Sequence, residues 1–411
     1  DRDLYSRFWA IHSMNPRGPA PDERCVFSRH CSGTKLAPTA LFVHPSKPVL
    51  QRRTREIGNV HTTYADLKAR WFSGQRKPPA EAKLTADVRN RMLAAAADET
   101  AYRRYAFRPF VPMQLLLDAD LLRVVGGLGG GGTRLRPEVA SAYSTEGTAG
   151  IAIAPSPIDI GEDLHRFATF CWDMPDNDMC ARGNAHVFCD RFPDNKPAGR
   201  REWDPTPKDN ISELLLDAVR GVRPDTSPRD LVFYSYAVLC SGTLLEAFAD
   251  AYFTASATEN IPRIPVVNDP DAMALLIEKG REIAELENPD SEVHLPEWVA
   301  EFEGQYVGQF NLKNRLIASK LLAILLYSYM DEPEIRLEGV SEELLQLTIS
   351  GYEVIACWLK FHSFVYTRTA FAEDDFRQLL RLLACLDAQT VLVQEVDVVL
   401  ERVISGDVGL L

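Results

Sequence analysis

Four groups of residues in this 411-residue sequence have types and spacings that could do chemistry. The first is the run "VVGGLGGGGTRLRP", Val124 to Pro137, which contains GxGxxG at Gly127, Gly129 and Gly132. Such glycines cradle a phosphate when a strand delivers them to a helix N-terminus with free N–H groups. Here Pro137 follows with no apolar helical stripe behind it and no GK[ST], so the run reads as a surface loop. The second is "HRFATFCWDMPDNDMCARGNAHVFC", with His165, Cys171, Cys180, His186 and Cys189. Structural zinc favours tight ligand pairs, and only His186 and Cys189 are so spaced. Buried free cysteines and a satisfied histidine are the expectation, and "CVFSRHC", Cys25 to Cys31, is a weaker candidate still. The third is Cys240 and Ser241 in "VLCSGTLLEAF", without GxSxG and inside an apolar run that predicts a helix, where small core residues are expected. The fourth is Glu373, Asp374 and Asp375 at a predicted helix start, where carboxylates suit the dipole without catalysis. These residues assemble no active site, and no cofactor or metal is expected.

The elements that would position any site divide the chain in three. Residues 1–100 form a basic segment rich in Arg, Pro and His, with one expected strand, "TALFVHP", and helices around Tyr64–Phe72 and Thr85–Ala97. In residues 101–206 the runs "FVPMQLLLD", "GIAIAP", "FATFCW" and "AHVFC" alternate with Gly, Pro, Asp and Asn, the punctuation of a β-rich part. Residues 207–411 change to helical spacing. Asn210 is a candidate cap for "ELLLDAVRG", and Ser227, Pro228 and Asp230 make a box-like start signal. Further helices are predicted over Pro270–Glu287, Asn314–Met330, Ser341–Ile349, Tyr352–His362, Ala372–Leu386 and Gln389–Ile404. The fold class is therefore α+β: a basic N-terminal segment, a β-rich middle and a mainly helical C-terminal half.

With 46% hydrophobic and 25% charged residues the chain reads as an ordinary globular protein. Its longest apolar stretches, such as "LIASKLLAILLYSYM", are broken by Lys320 and too short for a bilayer, so no membrane partner is expected. The sequence starts at Asp1 with no signal-peptide pattern, which suggests a fragment of something longer. Eight sparse cysteines suit a reducing cytoplasm. The net charge of −13 averages two unlike parts: residues 1–110 carry +10 and the remainder −23. A polyanion responds to the local field, and a basic face on an acidic scaffold is what this asymmetry describes.

Three stretches in order resemble the C-terminal target-recognition region of type ISP single-polypeptide restriction-modification enzymes. "YRRYAFRPF", Tyr102 to Phe110, resembles the family's Tyr-Arg-Pro-Phe signature. Asp230 to Glu287 is similar to its helix with a Tyr-Ala-Val-Leu core, its Pro-Arg-Ile-Pro turn and a helix ending near Ala-Glu-Leu. "GVSEELLQLTISGYEVIACWLKFHS", Gly339 to Ser363, and "QTVLVQEVDVVLERVI" resemble its Gly-Tyr-x-Val-x-x-x-Trp-Leu-Lys segment and closing helix. Val111 replaces the acidic residue usual after Arg-Pro-Phe, and Glu301 to Pro333 has no counterpart. The chain lacks GxxxxGK[ST] and Asn-Pro-Pro-Tyr, of which "NPRGPAP" keeps only Asn15 and Pro16, and has no nuclease carboxylate-lysine cluster.

The resemblance implies a sequence-specific reader of double-stranded DNA in a restriction-modification or phage-defence system. It would not be an enzyme by itself, and its partners would include methyltransferase, ATPase or nuclease domains or subunits. The candidate phosphate contacts are Arg52, Arg53, Arg55, Lys68, Arg70, Arg76, Lys77, Arg103, Arg104 and Arg108, interleaved with Tyr64, Trp71, Phe72 and Tyr105 as stacking candidates. Arg108 could equally serve packing. Tyr352, Ile355, Trp358 and Leu359 are expected on one buried helix face, with Lys360 pointing outward. The alternative is a protein-interaction scaffold, with the acidic half, net −19 over residues 201–411, docking on partner subunits of a defence complex.

Overall fold

The computed structural model describes residues 2–13, 19–73, 78–118, 120–122, 136–144, 147–154, 166–181, 185–193, 207–249, 251, 262–318, 322–328 and 332–411. The glycine run at 126–132, Arg76, Lys77 and His165 lie outside them. The fold is α+β, with a strand-rich middle and a helical end.

The strands Tyr102–Arg108 and Val111–Leu116 form an antiparallel hairpin, with Tyr105 opposite Met113. The Arg-Pro-Phe signature makes its turn, and Phe110 adopts φ 57° there. Val43–His44 pairs with one edge and Met174–Pro175 with the other, giving four strands. A second four-stranded sheet runs Cys31–Ser32, His186–Cys189, Gly150–Ile153, Ala168–Cys171. A third joins Arg263–Ile264 to Trp9–His12 and Cys25–Phe27. Strands from the first hundred residues therefore pair with strands from the rest of the chain.

Two large hydrophobic cores result, beside a smaller one around Cys171. One gathers Leu50, Trp71, Tyr105, Met113, Trp358 and Leu379. The other gathers Phe27, Ile151, Phe170, Phe233, Ile277 and Leu400. The 32-residue helix Glu373–Ile404, about 48 Å long at 1.5 Å per residue, serves both: Leu379 to Leu386 enter the first core and Val396 to Val403 the second. It contains neither Gly nor Pro, so nothing breaks it. Its partner Pro270–Leu286 crosses Pro228–Cys240 at Gly280, where a Cβ would sit 1.9 Å from the Phe233 carbonyl oxygen.

The expected capping box is present: Asp230 N donates to Ser227 Oγ at 3.2 Å and Ser227 N to Asp230 Oδ2 at 3.0 Å. Several expectations need correction. Asn314–Met330 is no helix; Asn314–Ala318 and Ala323–Tyr327 form a hairpin continued by Ile335–Glu338. Strand Ala323–Tyr327 is central and buried almost throughout, so it reads as the continuous apolar run that periodicity alone cannot separate from a helix. "TALFVHP" is a short helix, Thr39–Phe42, followed by a two-residue strand. Ser212, not Asn210, takes the cap of Glu213–Arg220. The Asn210 amide instead donates to the carbonyls of Arg29 and Cys189 at 3.0 and 2.9 Å. Ala372–Leu386 and Gln389–Ile404 are one helix. The Tyr352 segment begins as a strand, the helix starting at Val354. Ile355, Trp358 and Leu359 are buried there as expected, and Lys360 is exposed.

Candidate nucleic-acid interface

The helix Lys47–Gly58 carries three of the candidate arginines. It packs inward through Leu50, Arg53, Thr54 and Ile57, spacings of three, four and seven, with Arg53 standing where a hydrophobe would be expected. Arg53 is 2% exposed, and its Nη2 donates to the Val43 carbonyl at 2.8 Å. Burial lowers its pKa to about 10. Arg52 and Arg55 lie on the outer face.

The turn Tyr64–Leu67 continues as the π-turn Lys68–Phe72, which meets this helix at Glu56 and Arg52. Trp71 Nε1 donates to Glu56 Oε2 at 2.7 Å, and Arg70 Nη1 donates to the same oxygen at 2.8 Å. The Arg52 guanidinium sits 5.4 Å from the Trp71 ring centre. Arg368, from the C-terminal half, donates to the carbonyls of Ala69, Arg70 and Ser73 and closes this turn's end. Sequence reasoning missed both Arg368 and Arg89, which donates to the carbonyls of Ile57, Asn59 and Thr62. Such links between distant loops leave no spacing to read.

Strand Tyr102–Arg108 turns Arg103 outward, while Arg104 Nε pairs with Asp173 Oδ1 at 3.1 Å and Nη1 with Asp290. Arg108 is enclosed. Its Nη1 lies 2.9 Å from Asp176 Oδ1, and its guanidinium covers Phe107 at 4.0 Å and Tyr352 at 5.6 Å. Burial penalises its charge, but Asp176, Tyr352 and Asp178 more than offset this and raise its pKa.

The ten sequence candidates thus separate by environment. Arg52, Arg55, Lys68 and Arg103 are exposed and have no ion pair among the described residues. Arg70 and Arg104 are shared with carboxylates, Arg53 and Arg108 are internal, and Arg76 and Lys77 lie outside the described residues. The aromatics expected to stack on bases do not offer their faces. Trp71, Phe72 and Tyr105 are core residues, and Tyr64 is half-buried with its hydroxyl on the Pro79 carbonyl at 2.7 Å.

The cysteine, serine and helix-start carboxylate candidates resolve as structure. Cys171, Cys180 and Cys189 lie in a small core, where burial pushes their thiols up, and all eight cysteines are free. Cys240 closes one helix and Ser241 caps the next, its hydroxyl donating to Asp397 and accepting from Leu244 N at 3.0 Å. Asp375 Oδ2 accepts from Ala372 N at 2.8 Å, an N-terminal carboxylate in a structural role. Among the described residues no helix is long and apolar enough to cross a membrane.

The chain belongs to the family described as the Type ISP C-terminal specificity domain, which matches residues 25–380. No curated protein matches it by sequence. Its fold is similar to part of the Type ISP restriction-modification enzyme LlaGI, solved as a nuclease-deletion mutant with a DNA substrate mimic (TM-score 0.54, 14% identity, 97% of this chain and 34% of that one). It is likewise similar to part of the ATP-dependent Type ISP enzyme LlaBIII bound to DNA (0.56, 13%, 96% and 24%). A third similar structure is the DrdV–DNA complex (0.56, 15%, 96% and 38%). The chain therefore spans well under half the length of each.

Proposed function

We propose that the chain is the sequence-specific DNA-recognition part of a larger restriction-modification enzyme acting in the cytoplasm against foreign DNA. On this reading it does no chemistry itself, and the methyltransferase, ATPase and nuclease parts lie elsewhere in the assembly. The observation that carries this reading is the specificity-family match over residues 25–380. DNA in the similar solved structures supports the choice of partner. The exposed cations Arg52, Arg55, Lys68 and Arg103 are the phosphate contacts of this reading, with Arg70, Arg104, Arg76 and Lys77 as further candidates and Arg53 and Arg108 as supports.

Phosphate contacts release counterions, so log K falls against log salt with a slope of about −0.9 per contact. Fluorescence anisotropy of the whole chain on a duplex panel tests the reading. The four-site change Arg52→Gln, Arg55→Gln, Lys68→Gln and Arg103→Gln should weaken every duplex and shallow the slope by up to about 3.6. Binding that is unchanged in this variant, or absent from the wild type at low salt, counts against it.

A docking role for the acidic half has one observation in its favour. Val391 and Val398, seven residues apart on the long helix, are 54% and 60% exposed. They would face the remainder of the enzyme while the basic segment meets DNA.

A further inference from the structure

Three histidines far apart in sequence meet where two sheets adjoin. His12 ends strand Trp9–His12, His30 precedes strand Cys31–Ser32, and His186 opens strand His186–Cys189. The ring centres of His12 and His30 are 4.2 Å apart and those of His30 and His186 4.6 Å apart. One ring nitrogen from each lies within 4.8 Å of the others, the one such group of three His, Cys, Asp or Glu side chains among the described residues. The floor is aromatic: Phe188 stacks on His12 at 5.7 Å and packs against Phe27 at 5.2 Å.

From this geometry we propose that His12, His30 and His186 form a divalent transition-metal site of the zinc class, clamping the N-terminal sheet to the central one. Three observations support it. First, His12 Nδ1 is 2.7 Å from the Ser13 carbonyl oxygen, which fixes the proton on Nδ1 and leaves the Nε2 lone pair free. A backbone carbonyl behind a ligating imidazole is the usual orienting partner. Second, among the described residues no hydrogen bond holds either ring nitrogen of the half-buried His30 or His186, so both rings keep a nitrogen available to a ligand. Third, Phe188 lies 5.7 Å from the His12 ring and 5.8 Å from the His30 ring and His12 is buried, so the space between the imidazoles is walled on one side by apolar surface.

Zinc–imidazole bonds of about 2.0–2.1 Å at tetrahedral angles put the nitrogens about 3.4 Å apart, so closure asks for about 1 Å of ring movement. Three histidines leave the fourth position to water, as His30 and His186 are only half-buried. Imidazole nitrogen suits zinc, copper or nickel, and availability favours zinc. The sequence hid this site because its ligands come from three separate segments, and His30 is the histidine inside "CVFSRHC".

The test uses the whole chain without a polyhistidine tag, stripped with a chelator and titrated with zinc chloride by calorimetry. Expected are one equivalent bound, a raised melting temperature, and with cobalt(II) the intense visible bands of a four-coordinate ion. His30→Gln and His186→Gln should each weaken binding at least about 100-fold, beyond the 10–100-fold of second-shell changes, with the circular dichroism spectrum retained. His61→Gln with His294→Gln, both exposed histidines elsewhere, should bind as wild type. No saturable zinc binding, equal binding by His30→Gln, or a cobalt spectrum dominated by thiolate charge transfer would each overturn the site.

Discussion

Arg108→Ala asks whether the Arg-Pro-Phe signature acts through folding or through DNA. Arg108 and Asp176 are 11% and 7% exposed at the side chain and bridge at 2.9 Å. Truncation leaves the Asp176 carboxylate enclosed, with the Tyr105 hydroxyl at 2.6 Å and the Asp178 amide at 2.7 Å as its remaining donors. Breaking a buried pair from one side costs about 3–5 kcal/mol. At an unfolding entropy of about 2.1 cal/mol/K per residue, this lowers the Tm of the 411-residue chain by about 3–6 °C. The loss should depend on pH. Burial already raises the Asp176 pKa despite Arg108, so the folded state holds this proton more tightly than the unfolded one. Stability from such a group is complete below the unfolded value, about 3.9, and is lost as pH rises through the folded value. Removing Arg108 raises the folded value further, so the deficit should be largest near neutral pH and shrink towards roughly pH 4. Scanning calorimetry across this range measures it, with duplex binding assayed well below the transition. An Arg108→Ala chain that melts like wild type at neutral pH yet no longer binds DNA would refute the structural role.

Trp358→Ala should cost about 3–5 kcal/mol, because Trp358 is 2% exposed and stacks on His362 at 3.7 Å; denaturant melts report it, and duplex affinity of the folded protein should not change. Gly280→Ala forces the helices Pro228–Cys240 and Pro270–Leu286 apart, and a loss of roughly 3 kcal/mol or more is expected by the same melts. His362 is buried, and desolvation lowers it to about 4 against the Trp358 carbonyl bond, so its stability contribution is complete above the unfolded value and lost as pH falls through about 4. His362→Gln should flatten that acid limb, and an unaltered limb would exclude His362 as its source.

Local signals were legible where one residue's chemistry decides the outcome. Ser227 and Asp230 announced their helix because the capping box is a contact between neighbours in sequence. The strands "GIAIAP", "FATFCW" and "AHVFC" were legible because turns bracket each short run. The helix Lys47–Gly58 escaped notice because Arg53 occupies its apolar stripe, a substitution explained only by the Val43 carbonyl. The long helix looked like two because Gln389 interrupts the stripe. That residue is 1% exposed and donates to the Ile283 carbonyl and to Glu287 at 3.1 Å each. Glu287 also takes Arg166, Tyr236, the Thr169 hydroxyl at 2.8 Å and the Phe170 amide at 3.0 Å. That polar knot joins the central sheet to both long helices, and partners between 51 and 121 residues apart leave no period.

The same cause limits what charge counting says about the DNA face. The net +10 of residues 1–110 describes a field, but a phosphate contact comes only from a cation that is exposed and not already paired. Arg53 and Arg108 hold the hairpin and its neighbouring helix together from inside, and Arg70 and Arg104 are screened by Glu56 and Asp173. Arginine is the residue suited to both tasks, since its planar fork can satisfy several carbonyls or a carboxylate while its face covers an aromatic ring. An arginine-rich segment that must also pair its strands with three different sheets will therefore bury part of its charge. The exposed remainder is Arg52, Arg55, Lys68 and Arg103; the first three stand on a helix and a turn locked together through Trp71 and Glu56, the turn being held in place by Arg368. The internal arginines thus fix where the external ones point, and substitutions of the two sets should separate cleanly into loss of stability and loss of salt-dependent affinity.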